Sequence, residues 1–300
     1  MIVPGTTDHF NRVWLIACLS LAVSVQAEST FAQEGPQGRL RKSVLLYASF
    51  DAGADADFAQ GDRRLYSSES TRRESNVAGL RGAVEQIVEG GRVGGRLQFN
   101  EKSQWFPFFK GEGNFPMPSK GKPFQGTVSL WMKLDPAKDL PAGFVDPIQI
   151  TDKKWNDASF FLDFTKDNPR QFRLGAYSNY KFWNPKALKY DEIPDAKRPL
   201  GALRKLPFSR DRWTHVTFTW SDFNTDKMAT ATLFIDGRQH AVIQRRQQYD
   251  WQPGKVAIML GIFYVGQIDE LAVFSRALSN EDVSWLHKKP ELLRSLCTAK

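Results

Sequence analysis

The stretch Gly266-Gln267-Ile268-Asp269-Glu270-Leu271-Ala272-Val273-Phe274-Ser275-Arg276-Ala277-Leu278-Ser279 decides the fold. It begins as alternation: Ile268, Glu270, Ala272 and Phe274 on one side, Asp269, Leu271 and Val273 on the other. Apolar residues occur on both sides, which predicts a strand covered on both faces, central to two packed sheets. Ser279 stands three residues before Asp282, a capping-box-like start for a short helix from Asn280 to about Leu286. The chain thus ends its last buried strand, turns at Arg276-Ala277-Leu278 and lays a helix on the outside.

Working outward, further strands read from alternation and β-branched or aromatic content. They are Ser43 to Phe50, Arg96 to Phe99, Gly126 to Leu134, Pro147 to Thr151, Ala158 to Phe164, Arg170 to Gly175, Trp213 to Trp220, Ala229 to Ile235, His240 to Ile243 and Val256 to Gly261. Asp236-Gly237 is a hairpin signal, because both residues tolerate a left-handed backbone. Asp152 to Asp157 reads as a second hairpin connection. The aromatic group Trp105-Phe106-Pro107-Phe108-Phe109 carries a proline, which argues against a central strand. Residues 63–95 read as loops with one or two short strands. Residues 178–209 form a long loop whose aromatic residues argue against disorder. No long helical period appears outside the ends, so the fold class is all-β: two antiparallel sheets packed as a sandwich, with a short C-terminal helix.

The chain has 300 residues, a net charge of +8 and 13% aromatic residues. Arg12 precedes an apolar run from Val13 to Val25, and Val25-Gln26-Ala27 is a small-x-small cleavage site. Residues 1–27 therefore read as a secretory signal, placing the mature chain in a secreted, periplasmic or cell-surface setting. The run is shorter than the roughly 20 residues that a span needs, so no membrane span is expected after cleavage. Leu15-Ile16-Ala17-Cys18 has the form of a lipobox, but almost no apolar segment precedes it. Cys297 would remain as a single thiol, which excludes an intramolecular disulfide and a cysteine metal site. Residues 28–42 read as a polar linker, 43–287 as the sandwich domain and 288–300 as a tail.

Four stretches together resemble the laminin G-like, concanavalin A-like jelly-roll domains of secreted bacterial proteins. They are Gly126 to Met132, Asp211 to Thr217, Ala231 to Gly237 and the opening stretch, in matching order and spacing. The resemblance covers about Ser43 to Leu286. It implies a two-sheet jelly roll used by glycan-binding modules, adhesion modules and appendages to enzymes. Related glucanases carry Glu-x-Asp-x-Glu on one strand. Here Gln267 replaces the first glutamate, and plain alternation puts Glu270 on the opposite face from Asp269, so no catalytic residue is assigned. His215 lies inside a strand and reads as a hydrogen-bonded core histidine rather than a base, and His240 and His287 show no partner at metal or triad spacing.

The loop from Asp51 to Asp62 is rich in carboxylates that suit Ca²⁺, although it is not an EF-hand loop. In some relatives, an aspartate at the position of Asp269 reaches the loop after the first strand and helps hold calcium. The resemblance therefore implies Asp51, Asp55, Asp57 and Asp269 as candidate ligands, with Ca²⁺ as the candidate structural cofactor. Sugar rings stack on Trp or Tyr faces while planar polar groups bond their hydroxyls. Trp155, Asn156 and Asp157, with Tyr180, Trp183 and Asn184, offer that mixture on loops. The expected partner is a polysaccharide or glycoconjugate, with the basic pairs favouring an acidic one. A surface protein is the competing partner. No nucleic-acid recognition module appears.

Overall fold

The computed structural model describes Met1 and residues 35–298. The expected signal, residues 1–27, lies outside the described residues apart from Met1. Two antiparallel sheets face each other. In the first, strands run in the order Arg238–Arg245, Ala229–Ile235, Thr214–Phe223, Phe124–Lys133, Gly266–Phe274, Val44–Ala48 and Phe58–Ala59. Strands Arg96–Phe99 and Val84–Ile87 branch from the start of Gly266–Phe274. In the second sheet the order is Leu200–Leu203, Phe172–Tyr177, Ser159–Phe164, Val145–Thr151, Ala257–Ile262, Phe106–Lys110, Leu65–Ser68 and Val77–Ala78.

The opening stretch takes the central position expected of it, between Phe124–Lys133 and Val44–Ala48. Its alternation, however, is reset midway. The pairing shifts between Asp269 and Ala272, and Glu270 has φ 51°, the left-handed turn of a β-bulge. Ile268, Leu271 and Val273 consequently share the core between the sheets, while Ala272 and Phe274 face outward beside Tyr47. Asp269 and Glu270 fall consecutively on that outer side, so the parity that separated them in the sequence does not hold.

The core is aromatic: Phe160 lies 4.7 Å from Trp220 and 5.0 Å from Tyr249, and Phe115 stacks on Trp220 at 5.1 Å. Asp236 (φ 50°) and Gly237 (φ 75°) make the two-residue hairpin that joins Ile235 to Arg238. Helix Asn280–Lys288 opens with the expected box, Asp282 donating its amide to Ser279 Oγ at 3.2 Å and Ser279 returning 3.3 Å to Asp282 Oδ2.

Several segments differ from expectation: residues 63–95 hold three short strands, and the 178–209 loop contains a helical turn, Tyr180–Trp183, and a paired strand, Leu200–Leu203. The linker holds a helix, Pro36–Ser43, with Leu40 buried against Val283 and Leu286 and Arg39 bonded to Asp282 Oδ1 at 2.8 Å. The tail holds a helix, Leu293–Thr298, whose Leu293 and Leu296 join the same outer cluster. Strand Phe106–Lys110 is internal despite Pro107. Its pairing to Ala257–Ile262 begins only at Phe108, so Pro107 meets a partner strand on one side, at Ser67.

Candidate binding site

Alternation along the second sheet sends Phe160, Leu162, Phe164, Phe172 and Leu174 into the core. It leaves Phe161, Asp163 and Arg173 on the outer face. Asp163 and Arg173 stand directly opposite on neighbouring strands. Arg173 donates from Nε to Asp163 Oδ1 at 2.9 Å and from Nη2 to Oδ2, a forked pair. Phe161 lies over Gly175, where any Cβ would enter its ring, so glycine is what lets the ring lie flat on the sheet.

These side chains floor a cavity of about 570 Å³. Asp146 and Gln149 from the adjoining strand complete the floor, and Trp155, Tyr190, Phe144 and Phe263 stand around it. Gln149 is 5% exposed. Burial pushes the Asp146 carboxyl well above its usual range. The Asp163 charge adds to this, and Arg173 opposes it. Arg72 and Lys154 add exposed positive charge at the rim. Trp155 is 41% exposed. Its ring is held edge-on by Tyr190 at 5.2 Å and Tyr177 at 5.6 Å, and Arg198 stacks over Tyr190 at 4.1 Å.

Of the six expected ligand residues, Trp155 alone lines this cavity. The other five build its support. Trp183 Nε1 donates to the Asn156 carbonyl at 2.8 Å, and the Tyr180 amide donates to Asp157 Oδ1 at 2.8 Å. Asn184 is buried and turns the chain by bonding Leu188 twice, at 2.9 and 3.1 Å, which withdraws it from any ligand. Sequence reasoning missed Asp146, Gln149, Asp163, Arg173 and Tyr190. One signal was present: Asp163 interrupts an apolar strand, and the hairpin register sets it against Arg173.

Of the expected calcium ligands, Asp51, Asp55 and Asp57 line one cavity of about 360 Å³, and Asp269 is not part of its wall. Among the described residues, no three His, Cys, Asp or Glu side chains form a metal-holding group. Each carboxylate also accepts hydrogen bonds from the protein backbone. Asp51 accepts from the Gly95 amide at 2.7 Å, Asp55 from Leu65 at 2.8 Å and Asp57 from Ser49 at 2.7 Å. Asp269 accepts from Arg92 at 2.6 Å, Val93 at 3.2 Å and Glu270 at 2.8 Å. Arg294, from the C-terminal helix, meets Asp51 Oδ2 at 2.8 Å and Asp57 Oδ1 at 3.6 Å. Gly94 (φ 63°) lets the 91–95 loop close over Asp51, where a Cβ would overlap the carboxylate. A Ca²⁺ ion needs 6–8 oxygens, and in this arrangement the Arg294 guanidinium takes the place beside Asp51 and Asp57.

A two-sheet jelly roll with a polar-floored, aromatic-walled cavity on one sheet is a lectin-like architecture. The family model of the concanavalin A-like lectin/glucanases superfamily matches residues 113–284, and the chain belongs to that superfamily. Among solved structures, domain 4 of AbnA, a GH43 extracellular arabinanase from Geobacillus stearothermophilus solved with arabinotriose, is 15% identical with a TM-score of 0.47. That match covers 82% of this chain and 99% of the other. The Botulinum neurotoxin serotype D binding domain is 12% identical with a TM-score of 0.55, covering 86% of this chain and 53% of the other. The serotype D ligand binding domain in complex with N-acetylneuraminic acid is 11% identical with a TM-score of 0.50, covering 85% and 52%. This chain thus spans about half the length of those toxin domains. No curated protein matches the sequence.

Proposed function

We propose that this chain is an exported, non-catalytic carbohydrate-binding module whose site is the cavity on the outer face of the second sheet. One observation carries the reading: a half-exposed, edge-clamped Trp155 stands beside a floor of Asp146, Gln149, Asp163 and Arg173. An indole face takes the C–H side of a sugar ring, and fixed planar polar groups sort its hydroxyls. Phe144, another exposed large apolar side chain, belongs to the same cavity, which favours sugar over a flat protein surface. Residues 43–287 form the binding domain in this reading, and residues 1–27 direct export.

Asp146 and Asp163 are two carboxyls in one cavity, which raises glycoside hydrolysis as the rival. A hydrolase needs two carboxyls placed about the scissile bond and free to act on it. Here Arg173 holds Asp163 in a forked pair that takes up both of its oxygens. Binding without cleavage is therefore the reading we adopt. The test is a glycan array, followed by calorimetry on the best ligand, with residues 28–300. Trp155→Ala is expected to weaken binding at least ~10-fold, a loss of about 1.4 kcal/mol, with an unchanged circular dichroism spectrum. Unchanged affinity would remove Trp155 and this cavity from the proposal. Reducing ends released from polysaccharide, and lost in Asp146→Asn, would replace it with hydrolysis.

A further inference from the structure

We infer a second carbohydrate subsite, bounded by Gln247, Lys120, Phe182 and Trp251. Together with the Trp155 cavity it takes an acidic polysaccharide longer than a disaccharide. The inference rests on the carbohydrate reading above and extends it.

The second cavity, about 590 Å³, lies where residues 118–121, 224–226 and 246–251 meet Phe182. Its backbone is fixed before any ligand arrives. Asn224 donates Nδ2 to the Tyr249 carbonyl at 2.9 Å and accepts the Tyr249 amide at 2.7 Å, while its own amide bonds the Gln247 carbonyl at 2.9 Å. Gln247 is 2% exposed. Its Nε2 donates to the Ala176 carbonyl at 2.8 Å, but its Oε1 is buried without a partner among the described residues. A buried acceptor left unmatched costs free energy unless something donates to it. Gln247 lines the cavity, and a sugar hydroxyl has that chemistry once the side-chain amide turns toward it. Phe182, 39% exposed, supplies an apolar face, and Trp251 a second apolar wall, its own Nε1 donating to the Ala158 carbonyl at 2.6 Å.

The two cavities adjoin. Lys153 lines the first and Asp250 the second, and their side chains meet at 2.6 Å. One ion pair therefore forms the divide, set on the loop layer that also carries Trp155. Charge in the first cavity points to an acidic ligand. The second cavity is balanced, Lys120 and Arg246 against Asp226 and Asp250, while in the first Arg72, Lys153, Lys154 and Arg173 outnumber Asp146, Asp163 and Asp191. A polymer that fills both cavities binds its second site as an intramolecular event, so affinity grows with chain length.

The test is calorimetric titration of the full chain with oligogalacturonates, as dimer, tetramer and hexamer, and with neutral cello-oligosaccharides of the same lengths. The acidic series is expected to gain about tenfold or more from dimer to hexamer. The double variant Lys120→Ala/Phe182→Ala is expected to lose that gain, and Trp155→Ala to lose affinity at every length. Both positions are exposed, and near-ultraviolet circular dichroism checks the fold of each variant. A hexamer bound equally well by the double variant, but weakened by Trp155→Ala, overturns the second subsite and leaves the first standing. Equal affinity for the neutral series overturns the acidic assignment. Failure of both series to bind the unaltered chain overturns this inference outright, and the glycan array then decides the reading beneath it.

Discussion

His215 is a strand residue sealed against Trp131, with ring centroids 4.8 Å apart. Its Nε2 lies 2.8 Å from Ser129 Oγ and 3.2 Å from Thr217 Oγ1. Burial drives its pKa down to about 3, and the nearby His287 and Arg92 push the same way. The unfolded imidazole titrates near ~6.5, so below that pH the unfolded chain takes up a proton that the folded chain refuses. Its contribution to stability is full above about 6.5 and is lost as pH falls toward 3. Glu270 acts with the opposite sign. Burial first, and the Asp269 charge second, raise its carboxyl to about 9. The Tyr47 hydroxyl lies 3.0 Å from both Glu270 oxygens, so a protonated Glu270 can donate to that hydroxyl while accepting from it. The folded chain then holds a proton that the unfolded chain releases above about 4.5, and stability falls as pH rises from there to about 9. Urea midpoints for His215→Phe minus wild type are expected to become relatively more favourable between about pH 6.5 and 4, isolating the histidine from the opposing acids. Glu270→Gln, which keeps an acceptor for Tyr47, is expected to gain on the order of 2 kcal/mol at pH 8 and almost nothing at pH 4. A gain that is equal at both pH values would show that charge is not the cause.

Among the elements, the terminal helices form a third layer on the outside of the first sheet. Leu40, Val283, Leu286, Leu293 and Leu296 bury together with Tyr47 and Phe274. Asp282 ties the layer, taking Arg39 at 2.8 Å, Arg276 at 2.8 Å and the Ser279 cap. The Arg276 and Arg39 hydrogen bonds hold its carboxyl low against the opposing effect of burial. Arg294 sits on the Asp51 and Asp57 carboxylates, where the resemblance implies a calcium ion. The melting temperature is therefore expected to be the same with millimolar Ca²⁺ and with chelator, and Arg294→Ala is expected to cost about 1 kcal/mol. A calcium-dependent rise in the unaltered chain would show that metal displaces the guanidinium. The helix over Pro36–Ser43 was not legible, because Leu40 is the one large apolar residue in PQGRLRKS. A single leucine carries no period, and it gains a partner only when Val283 and Leu286 arrive from the far end of the chain. Strands such as Phe124–Lys133 and Thr214–Phe223 were legible because burial on both faces leaves long apolar and β-branched runs.

On the scale of the whole molecule, the first strand closes the sheet against the last, Leu46 opposite Val273 and Ala48 opposite Leu271. The cavity on the other sheet draws on residues from Thr71 to Phe263. The sequence by itself determined the sandwich, the Asp236-Gly237 hairpin, the capped helix after Ser279 and Trp155 as a loop aromatic. Each of these is written in local propensity or in a period of a few residues. Only the tertiary structure decided that Glu270 bulges beside Asp269, that Arg294 meets the aspartate loop, and that Asp146, Gln149, Asp163 and Arg173 floor one cavity. Those relations depend on register and on which strands become neighbours. Packing of the full core sets both, and no short window of the chain carries that information.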